Sequence, residues 1–302
     1  MHPNKTEYTL EKQNHEQGVL ITKMSGDQVY FDEEKLKKSL RRSKADEDII
    51  TQVIEKVKKE LYNSMPTKEI YRLAFSHLRK YSATSASRYK LKSAILELGP
   101  SGFPFEKYVA ELLKFKNYQT EVGSIVQGHC VTHEIDILAE NEHQHLIVEC
   151  KFHSDQRRFC DIKVPLYIQS RFKDVESKMR QKQSKIEKSY VGGLVTNTRF
   201  SSDALQYGKC MSMFLLSWDY PINKSLKNLI DESGLHPITS LLTLLKHEKD
   251  QILNKGIVLC KDLINKQKIL SEMGISAMRI KKIIDEVKSI CESLPMNNTE
   301  KI

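Results

Sequence analysis

The sequence predicts a multi-domain α/β protein with a small α+β unit, a central α/β unit and an all-helical unit. Its 302 residues suffice for two or three domains of roughly 100–200 residues each. The Gly- and Pro-rich segment LGPSGFPF separates two stretches of different patterning, and strand patterns end near residue 220. The expected divisions are a polar tail at 1–17, the α+β unit at 18–98, the α/β unit at 99–220 and the helical unit at 221–295.

The first unit is expected to be a hairpin followed by about four helices. The β-rich runs VLITK and QVYF flank a turn in which Gly26 permits positive φ. Asp32 is placed to cap the helix EEKLKKSLRRS, and residues 46–62 carry apolar side chains at helical spacing. Thr67 is expected to cap a third helix, KEIYRLAFSHLRKY, and SASRYKLKSAILEL gives a fourth.

The central unit is expected to follow the order αβββαβαβ. The helix PFEKYVAELLKFKN precedes three strands, QTEVGSIVQ, THEIDILAE and QHLIVECKFH, whose close succession favours an antiparallel meander. A helix from Pro165 to about Gln183, the strand YVGGLVTNT, the short helix SSDALQYGKC and the strand MSMFLLSW favour parallel additions to the same sheet. Beyond them only helical patterns occur, at 223–233, 237–246, 248–254, 258–264, 266–272 and 276–292.

Composition excludes several classes of protein. A net charge of +9 suits a polyanionic partner. No apolar run approaches the ~20 residues that cross a bilayer, and the first residues lack the apolar core of a secretory signal. The six cysteines form no CxxC pair, which speaks against a zinc knuckle or a thioredoxin-type site. We therefore expect a cytoplasmic protein with reduced thiols and no membrane association, and leave a homo-oligomer open.

Charged residues inside an apolar strand mark the candidate site. In HLIVECKFH, alternation puts Glu149 and Lys151 on one face and Cys150 on the apolar face. An acid and a base there are costly to bury unless they are paired or bind metal. Asp136 points away from its apolar neighbours in the preceding strand, and antiparallel pairing would bring it beside Glu149. Glu106 lies at the edge of the apolar stripe of the first helix, so three carboxylates and one lysine can converge.

This set of side chains suits phosphoryl chemistry. Carboxylates are the hard oxygen ligands that Mg²⁺ or Mn²⁺ prefers, the metal activates water, and a lysine neutralises charge in the transition state. The competing interpretation is a buried salt bridge between Lys151 and one carboxylate. His133 and His153 flank the site and are expected to be surface or outer polar residues, with His133 kept as a lesser candidate. Cys150 is expected to be a core residue rather than a nucleophile.

The segments GPSGFPFEKYVAELL, HEIDILA and LIVECKFH resemble the PD-(D/E)XK nuclease superfamily, specifically its Mrr-like restriction endonuclease branch. The resemblance covers about 100–218 and includes VTNTRFSSDA. It implies metal-dependent hydrolysis of phosphodiester bonds, with DNA as the usual substrate. It also implies that Asp136, Glu149 and Glu106 hold the metal and that Lys151 acts in catalysis.

The same resemblance extends to the following helix and to the residue before the aspartate. The family often has a glutamine in that helix, and Gln169 in LYIQSRF matches it, while Arg171 and Lys173 are placed to contact phosphate. The position before the aspartate varies in the family and is Ile135 here, which is a minor departure.

The segment ITKMSGDQVYFDEEKLKKSL, with TKEIYRLAFSHL and SRYKLKSAI, resembles the ATP-cone, a regulatory nucleotide-binding domain of ribonucleotide reductases and their repressors. The resemblance covers about 18–95 and implies ATP or dATP as a regulatory ligand. Lys23 and Lys35 match its two lysines and could clamp a triphosphate. Met24 replaces the family's arginine and removes one phosphate contact. The residues that the resemblance places at the nucleotide are Lys23, Gly26, Lys35, Thr67 and Tyr71. The competing interpretation of the basic run KLKKSLRRSK is a solvated helix face.

The final helices contain a second basic segment. Gly274-Ile275-Ser276 precedes a basic helix and resembles the helix-hairpin-helix modules that bind the DNA backbone, which would place Arg279, Lys281 and Lys282 near phosphate. The competing interpretation, slightly favoured, is a packing or dimerisation unit.

These patterns together predict a metal-dependent DNA endonuclease regulated by ATP or dATP, with a role in restriction, defence or repair and with double-stranded DNA as the expected partner. Two alternatives stay open. One is a catalytically silent, nucleotide-sensing DNA-binding regulator. The other is a ribonuclease with the same site, because phosphate hydrolysis does not identify the sugar.

Overall fold

The computed structural model describes residues 18–182 and 188–291, which divide into two compact units on either side of the Tyr89–Lys90 bond. The division follows Tyr89 rather than Leu98, because Leu91 and Ile95 are buried in the core of the second unit together with Leu98. The tail expected at 1–17, the expected helix end at Gln183 and the last residues of the expected helical unit lie outside the described residues.

The first unit contains a three-stranded sheet and four helices. Strand β1 pairs antiparallel with β2, as the hairpin prediction requires, and pairs in parallel with a short strand, β3, that the sequence did not predict. The strands are β1 Leu20–Thr22, β2 Gln28–Tyr30 and β3 Met65–Pro66. The helices are α1 Glu33–Arg42, α2 Glu47–Glu60, α3 Thr67–Tyr81 and α4 Ala83–Tyr89.

The helix starts in this unit match the expected caps in one case and differ in another. The carboxylate of Asp32 accepts a hydrogen bond of 3.0 Å from the backbone N–H of Lys35, which confirms the cap of α1. Thr67 is the first residue of α3 rather than its cap, and the N-cap position is Pro66. The cap lies one residue earlier because Met65 and Pro66 are still extended in β3, so that the helix begins as soon as the strand ends.

The second unit is built around a five-stranded sheet in the order β10-β8-β6-β5-β4. Strands β4, β5 and β6 form the predicted antiparallel meander, and β8 and β10 extend it in parallel. The bounds are β4 Gln119–Gln127, β5 Thr132–Glu140, β6 Gln144–Lys151, β8 Ser189–Thr196 and β10 Phe214–Leu216. A separate parallel pair, β7 Phe159–Cys160 and β9 Arg199–Phe200, was not predicted.

Helices cover both faces of this sheet. Tyr108 and Leu112 of α6 pack with Leu146 and Val148, whereas α7 packs against the other face, where Phe172 meets Ile147. Phe172 lies so close to β8 that a Cβ on Gly192 would come within 2.9 Å of its ring. The helices are α5 Leu91–Leu96, α6 Phe103–Phe115, α7 Lys163–Lys182 and α8 Ser202–Cys210.

The C-terminal helices belong to the same compact unit as the sheet. The hydroxyl of Tyr108 on α6 donates a hydrogen bond of 2.7 Å to the carbonyl of Leu235, and both regions contribute to one hydrophobic core. The sheet and the C-terminal helices, expected at 99–220 and 221–295, lie in one compact unit of the structure. The helices are α9 Leu226–Ser233, α10 Lys246–Asn254, α11 Asp262–Asn265, α12 Lys268–Glu272 and α13 Ala277–Cys291, with a 3-10 turn at Ile238–Ser240. No helix in the described ranges has the length and apolar character to cross a membrane.

Candidate active site

The pairing of β5 with β6 brings two of the candidate carboxylates to one end of the sheet. The pairing of β5 with β6 ends with Ile137 opposite Val148, and Asp136 and Glu149 follow directly beyond that last pair. The carboxylate of Asp136 accepts a hydrogen bond of 2.7 Å from the backbone N–H of Cys150, on the neighbouring strand. This bond fixes the orientation of the Asp136 side chain before any ligand arrives.

Glu106 joins the pair from the first turn of α6. The N-cap residue of that helix, Gly102, has φ of 71°, a conformation that favours glycine, and a Cβ there would lie 3.6 Å from the Glu106 carboxylate. Burial, together with the negative charges of Asp136 and Glu149, raises the pKa of Glu106 to about 7. The three carboxylates are thus close enough to perturb one another.

Burial also controls the other two carboxyl groups. It raises the pKa of Glu149 to about 7, with the charge of Asp136 adding to the effect and the Arg171 guanidinium opposing it. Burial raises the pKa of Asp136 as well, while the Cys150 amide and Arg171 act in the opposite direction. Such a concentration of half-buried acids is destabilising unless a cation or protons neutralise it.

The partner of Glu149 is Arg171 and not Lys151. One Nη of Arg171 donates to Glu149 Oε2 at 2.7 Å, and the other donates to the backbone carbonyl of Glu134. Lys151 is exposed at the end of β6, so it does not form the buried salt bridge that the competing interpretation requires. Its ammonium group is left facing solvent beside the acidic cluster, on the strand face of Glu149.

The two other candidates on α7 have different surroundings. Gln169 is 5% exposed, and its side-chain Oε1 has no hydrogen-bond partner among the described residues. Buried amide oxygens are nearly always paired in proteins, and a bound water or ion would supply a partner for this oxygen. Lys173 instead forms an ion pair with Glu176, in which Nζ and Oε2 are 2.8 Å apart. The Lys173 side chain is largely exposed.

The flanking histidines lie outside the cluster, as expected. His133 pairs with Asp174 at 2.8 Å, and the same carboxylate accepts the backbone N–H groups of Cys130 and Val131. These bonds hold the β4–β5 connection against α7.

His153 and Cys150 are likewise placed as outer polar and core residues. The backbone N–H of His153 donates to Asn197, its Nε2 lies 3.6 Å from the Cys160 sulfur, and burial lowers its pKa. Burial raises the pKa of the Cys150 thiol well above its ordinary value, which agrees with a core role.

The chemistry of the donor set fits Mg²⁺ or Mn²⁺. Within residues 18–182 and 188–291, no group of three or more His, Cys, Asp or Glu side chains forms a ready metal cage. Mg²⁺ rarely uses one, because it retains several waters and binds through one or two carboxylates together with substrate phosphate oxygens. Asp136 and Glu149 would supply those carboxylates, with Glu106 in support.

The candidate nucleotide residues all belong to the first unit. The β1–β2 turn is closed by a hydrogen bond of 3.0 Å from Gly26 N–H to the Lys23 carbonyl, and Gly26 has φ of 93°. Lys35 is 82% exposed and lies 3.2 Å from the Asp32 carboxylate. Tyr71 stacks on Tyr89 and donates to its carbonyl, so this ring has an internal role. Thr67 is half-buried at the start of α3 and Met24 is exposed, which leaves the two lysines as the accessible cations of the set.

The C-terminal candidates separate into a packing residue and two exposed cations. Arg279 donates to Glu248 at 2.6 Å and to the carbonyl of Thr243, which fastens α13 to the start of α10. Lys281 and Lys282 are exposed on α13. Gly274 has φ of 77° in the preceding turn, as a tight turn between helices requires.

Comparisons with known proteins identify the family of the chain. Residues 236–291 match the family model described as AF1548-like, C-terminal. An uncharacterized protein of Archaeoglobus fulgidus is 33% identical over 183 residues, which is 60% of this chain and 99% of that protein. This chain belongs to the AF1548-like family. A crystal structure described as a protein of unknown function, AF1548, matches the AF1548-like chain with a TM-score of 0.52 and 32% identity, over 64% of this chain and 99% of that one.

No activity is stated for these two AF1548-like relatives. The resemblances to the nuclease superfamily and to the ATP-cone stay predictions from the sequence.

Proposed function

We propose that this AF1548-like protein is a metal-dependent, restriction-type endonuclease that hydrolyses phosphodiester bonds in DNA. The observation that carries the proposal is the proximity of Asp136 and Glu149 just beyond the last paired residues of β5 and β6, with Glu106 close enough for their charges to help raise its pKa. Exposed Lys151, two residues beyond Glu149 on the same strand face, completes a set of three acids and one base.

Each side chain has a distinct part in this chemistry. Asp136 and Glu149 would hold Mg²⁺ or Mn²⁺, which would supply an activated water and polarise the phosphoryl oxygen. Lys151 presents a positive charge where negative charge develops on the phosphate during attack. Glu106, whose pKa is about 7, supports the metal site and can exchange a proton near neutral pH.

The first unit adds control by nucleotide in this proposal. The accessible cations Lys23 and Lys35 would bind the triphosphate of ATP or dATP, with the turn at Gly26 leaving the backbone open to close approach. Nucleotide can alter cleavage only if it binds one state of the protein better than another. A role in defence against foreign DNA or in DNA repair would suit such a controlled nuclease.

One observation favours a second candidate, a DNA-binding regulator that no longer cuts. The guanidinium of Arg171 already neutralises Glu149, and a permanent pair of this kind would stop the carboxylate from binding metal. This candidate predicts nucleic-acid binding without cleavage.

The test is a cleavage assay with the full chain. Plasmid DNA, single-stranded DNA and RNA are incubated with Mg²⁺ or Mn²⁺, with and without ATP and dATP. The wild type is compared with Lys151→Ala and with the control Lys224→Ala, which removes an exposed lysine between β10 and α9. The proposal expects metal-dependent cutting of DNA that Lys151→Ala abolishes and Lys224→Ala retains. Binding without cutting of any substrate would support the regulator, and cutting of RNA alone would assign a ribonuclease.

A further inference from the structure

Arg171 forms an ion pair with Glu149, one of the two carboxylates that the proposed metal would bind. Its guanidinium makes two contacts, one to Glu149 Oε2 at 2.7 Å and one to the carbonyl of Glu134. Both charged side chains are shielded from solvent, with 14% of Arg171 and 22% of Glu149 exposed. An ion pair in this setting is screened much less by salt than one at the surface.

The guanidinium is the counter-charge of the acidic cluster when no metal is present. It favours the ionised forms of both Glu149 and Asp136, against the effect of burial. A divalent cation bound to the same carboxylates would bring two further positive charges next to the guanidinium. Two cations cannot both be close to Glu149 without strong repulsion, so metal binding and the Arg171–Glu149 pair oppose each other.

Arg171 also contacts an aromatic ring beside the acidic cluster. Its guanidinium lies over the ring of Tyr167, 5.5 Å from the centroid, one turn earlier on α7. The Tyr167 side chain is 61% exposed, so the guanidinium can remain on the ring while turning away from Glu149 toward solvent. A guanidinium binds phosphate with two parallel hydrogen bonds, so a phosphate of a nucleic acid is a suitable second partner for Arg171.

We propose that Arg171 is a positioning residue that exchanges partners: it holds Glu149 until a divalent cation takes the carboxylate, and then turns to a phosphate of the nucleic acid. The inference rests on the proposed function, because it takes Asp136 and Glu149 as metal ligands. Metal and nucleic acid should then strengthen each other's binding by the same factor, since linkage is reciprocal.

The first test is calorimetric titration of metal-free full-length protein with Mn²⁺. Arg171→Met removes the competing cation and is expected to bind Mn²⁺ about tenfold more tightly than the wild type, which corresponds to about 1.4 kcal/mol. Arg180→Met is a matched control, because Arg180 lies on the same helix, pairs with Glu176 and covers the ring of Tyr190. Its affinity for Mn²⁺ is expected to equal that of the wild type.

The second test measures binding of a short DNA duplex without metal, by fluorescence anisotropy across a range of salt concentrations. Glu149→Gln removes the charge that holds Arg171, so the duplex should bind more tightly, with a salt dependence steeper by about one phosphate contact. Adding Arg171→Met to Glu149→Gln should cancel that gain. Arg171→Lys keeps the charge but loses the two-pronged contact, and its Mn²⁺ affinity should fall between those of the wild type and Arg171→Met.

The outcomes separate this inference from the proposed function. If Arg171→Met, with an unchanged thermal unfolding profile, binds Mn²⁺ no more tightly than the wild type, the exchange of partners is wrong and the metal site stands. If Arg171→Met does not fold, the Mn²⁺ affinity of Arg171→Lys and the duplex affinity of Glu149→Gln decide instead. The exchange of partners is wrong if neither affinity rises above that of the wild type. If neither the wild type nor Arg171→Met binds Mn²⁺, the metal site is wrong and the inference is wrong with it.

Discussion

The backbone N–H of Cys150 donates a 2.7 Å hydrogen bond to the carboxylate of Asp136, across the ends of two neighbouring strands. The bond holds the Asp136 side chain next to Glu149 in a half-buried position where their charges repel. Groups fixed in this way need little reorganisation when a cation arrives, which is how preorganised sites favour binding and catalysis. In the metal-free protein, this arrangement raises the pKa values of Asp136 and Glu149 and lowers the free energy of unfolding when both groups are ionised.

The stability of the metal-free protein should therefore fall as the pH rises. Glu149 has a pKa of about 7 in the folded protein and an ordinary value of 4.5, so between these values the folded state holds a proton that the unfolded state has lost. The free energy of unfolding decreases with pH wherever the folded state binds more protons. Between pH 5 and pH 8, we expect the free energy of unfolding of Glu149→Gln to fall by roughly 2 kcal/mol less than that of the wild type. Urea unfolding in the presence of a chelator measures this difference, and parallel pH profiles would contradict it.

The Asp174 carboxylate should hold the β4–β5 connection in place. It accepts hydrogen bonds from the backbone N–H groups of Cys130 and Val131 and from His133. Asp174→Ala should speed hydrogen exchange at the Cys130 and Val131 amides by about tenfold or more, because their acceptor is gone. The amide of Leu194, in the central part of the sheet, is an internal control. Equal acceleration at Leu194 would mean that the substitution loosens the whole unit instead.

Tyr108→Phe should weaken the attachment of the C-terminal helices to α6. The Tyr108 hydroxyl is buried and donates to the carbonyl of Leu235, and its loss leaves that carbonyl without this donor. The expected loss of stability is about 1 kcal/mol. Urea unfolding can be followed with the fluorescence of Trp218, the single tryptophan, which packs against the same core. Tyr207→Phe, a partly exposed tyrosine, is expected to change the stability less, and the reverse order would contradict this role for Tyr108.

Lys35→Ala should weaken nucleotide binding without disturbing α1. The cap of that helix uses the backbone N–H of Lys35, which an alanine retains, while the exposed ammonium group is lost. We expect the affinity for ATP to fall about tenfold, as for a lost charge-assisted phosphate contact. Calorimetry with ATP measures it, with Lys38→Ala, also exposed on α1, as the control. If Lys35→Ala and Lys38→Ala lower the ATP affinity equally, the loss reflects the reduced positive charge of α1 and not a specific contact by Lys35.

The central sheet and its acidic pair could be predicted because the signals are local. Alternating polarity defines strand faces, and the short polar turn between β5 and β6 leaves few registers, so the proximity of Asp136 and Glu149 follows from the sequence. The position of Glu106 follows in the same way from the apolar stripe of its helix.

Other features depend on contacts between distant parts of the chain and could not be predicted. The strands β3, β7 and β9 have two residues each, too few for any pattern, and form only because a partner lies beside them. The boundary at Tyr89 is set by the burial of Leu91 and Ile95 in the second unit, although the local sequence indicates one continuous helix. Arg171 is 22 residues from Glu149, and only the packing of α7 on the sheet shows that they meet.

The most direct test of the account is cleavage of a supercoiled plasmid with enzyme in excess over DNA, as a function of Mg²⁺ or Mn²⁺ concentration. The wild type is compared with Asp136→Asn, which keeps the size of the side chain but removes its charge, and with the control Asp203→Asn in the first turn of α8. We expect metal-dependent cutting that Asp136→Asn slows by at least about a hundredfold and Asp203→Asn leaves unchanged. Cutting by Asp136→Asn at the rate of the wild type would contradict it.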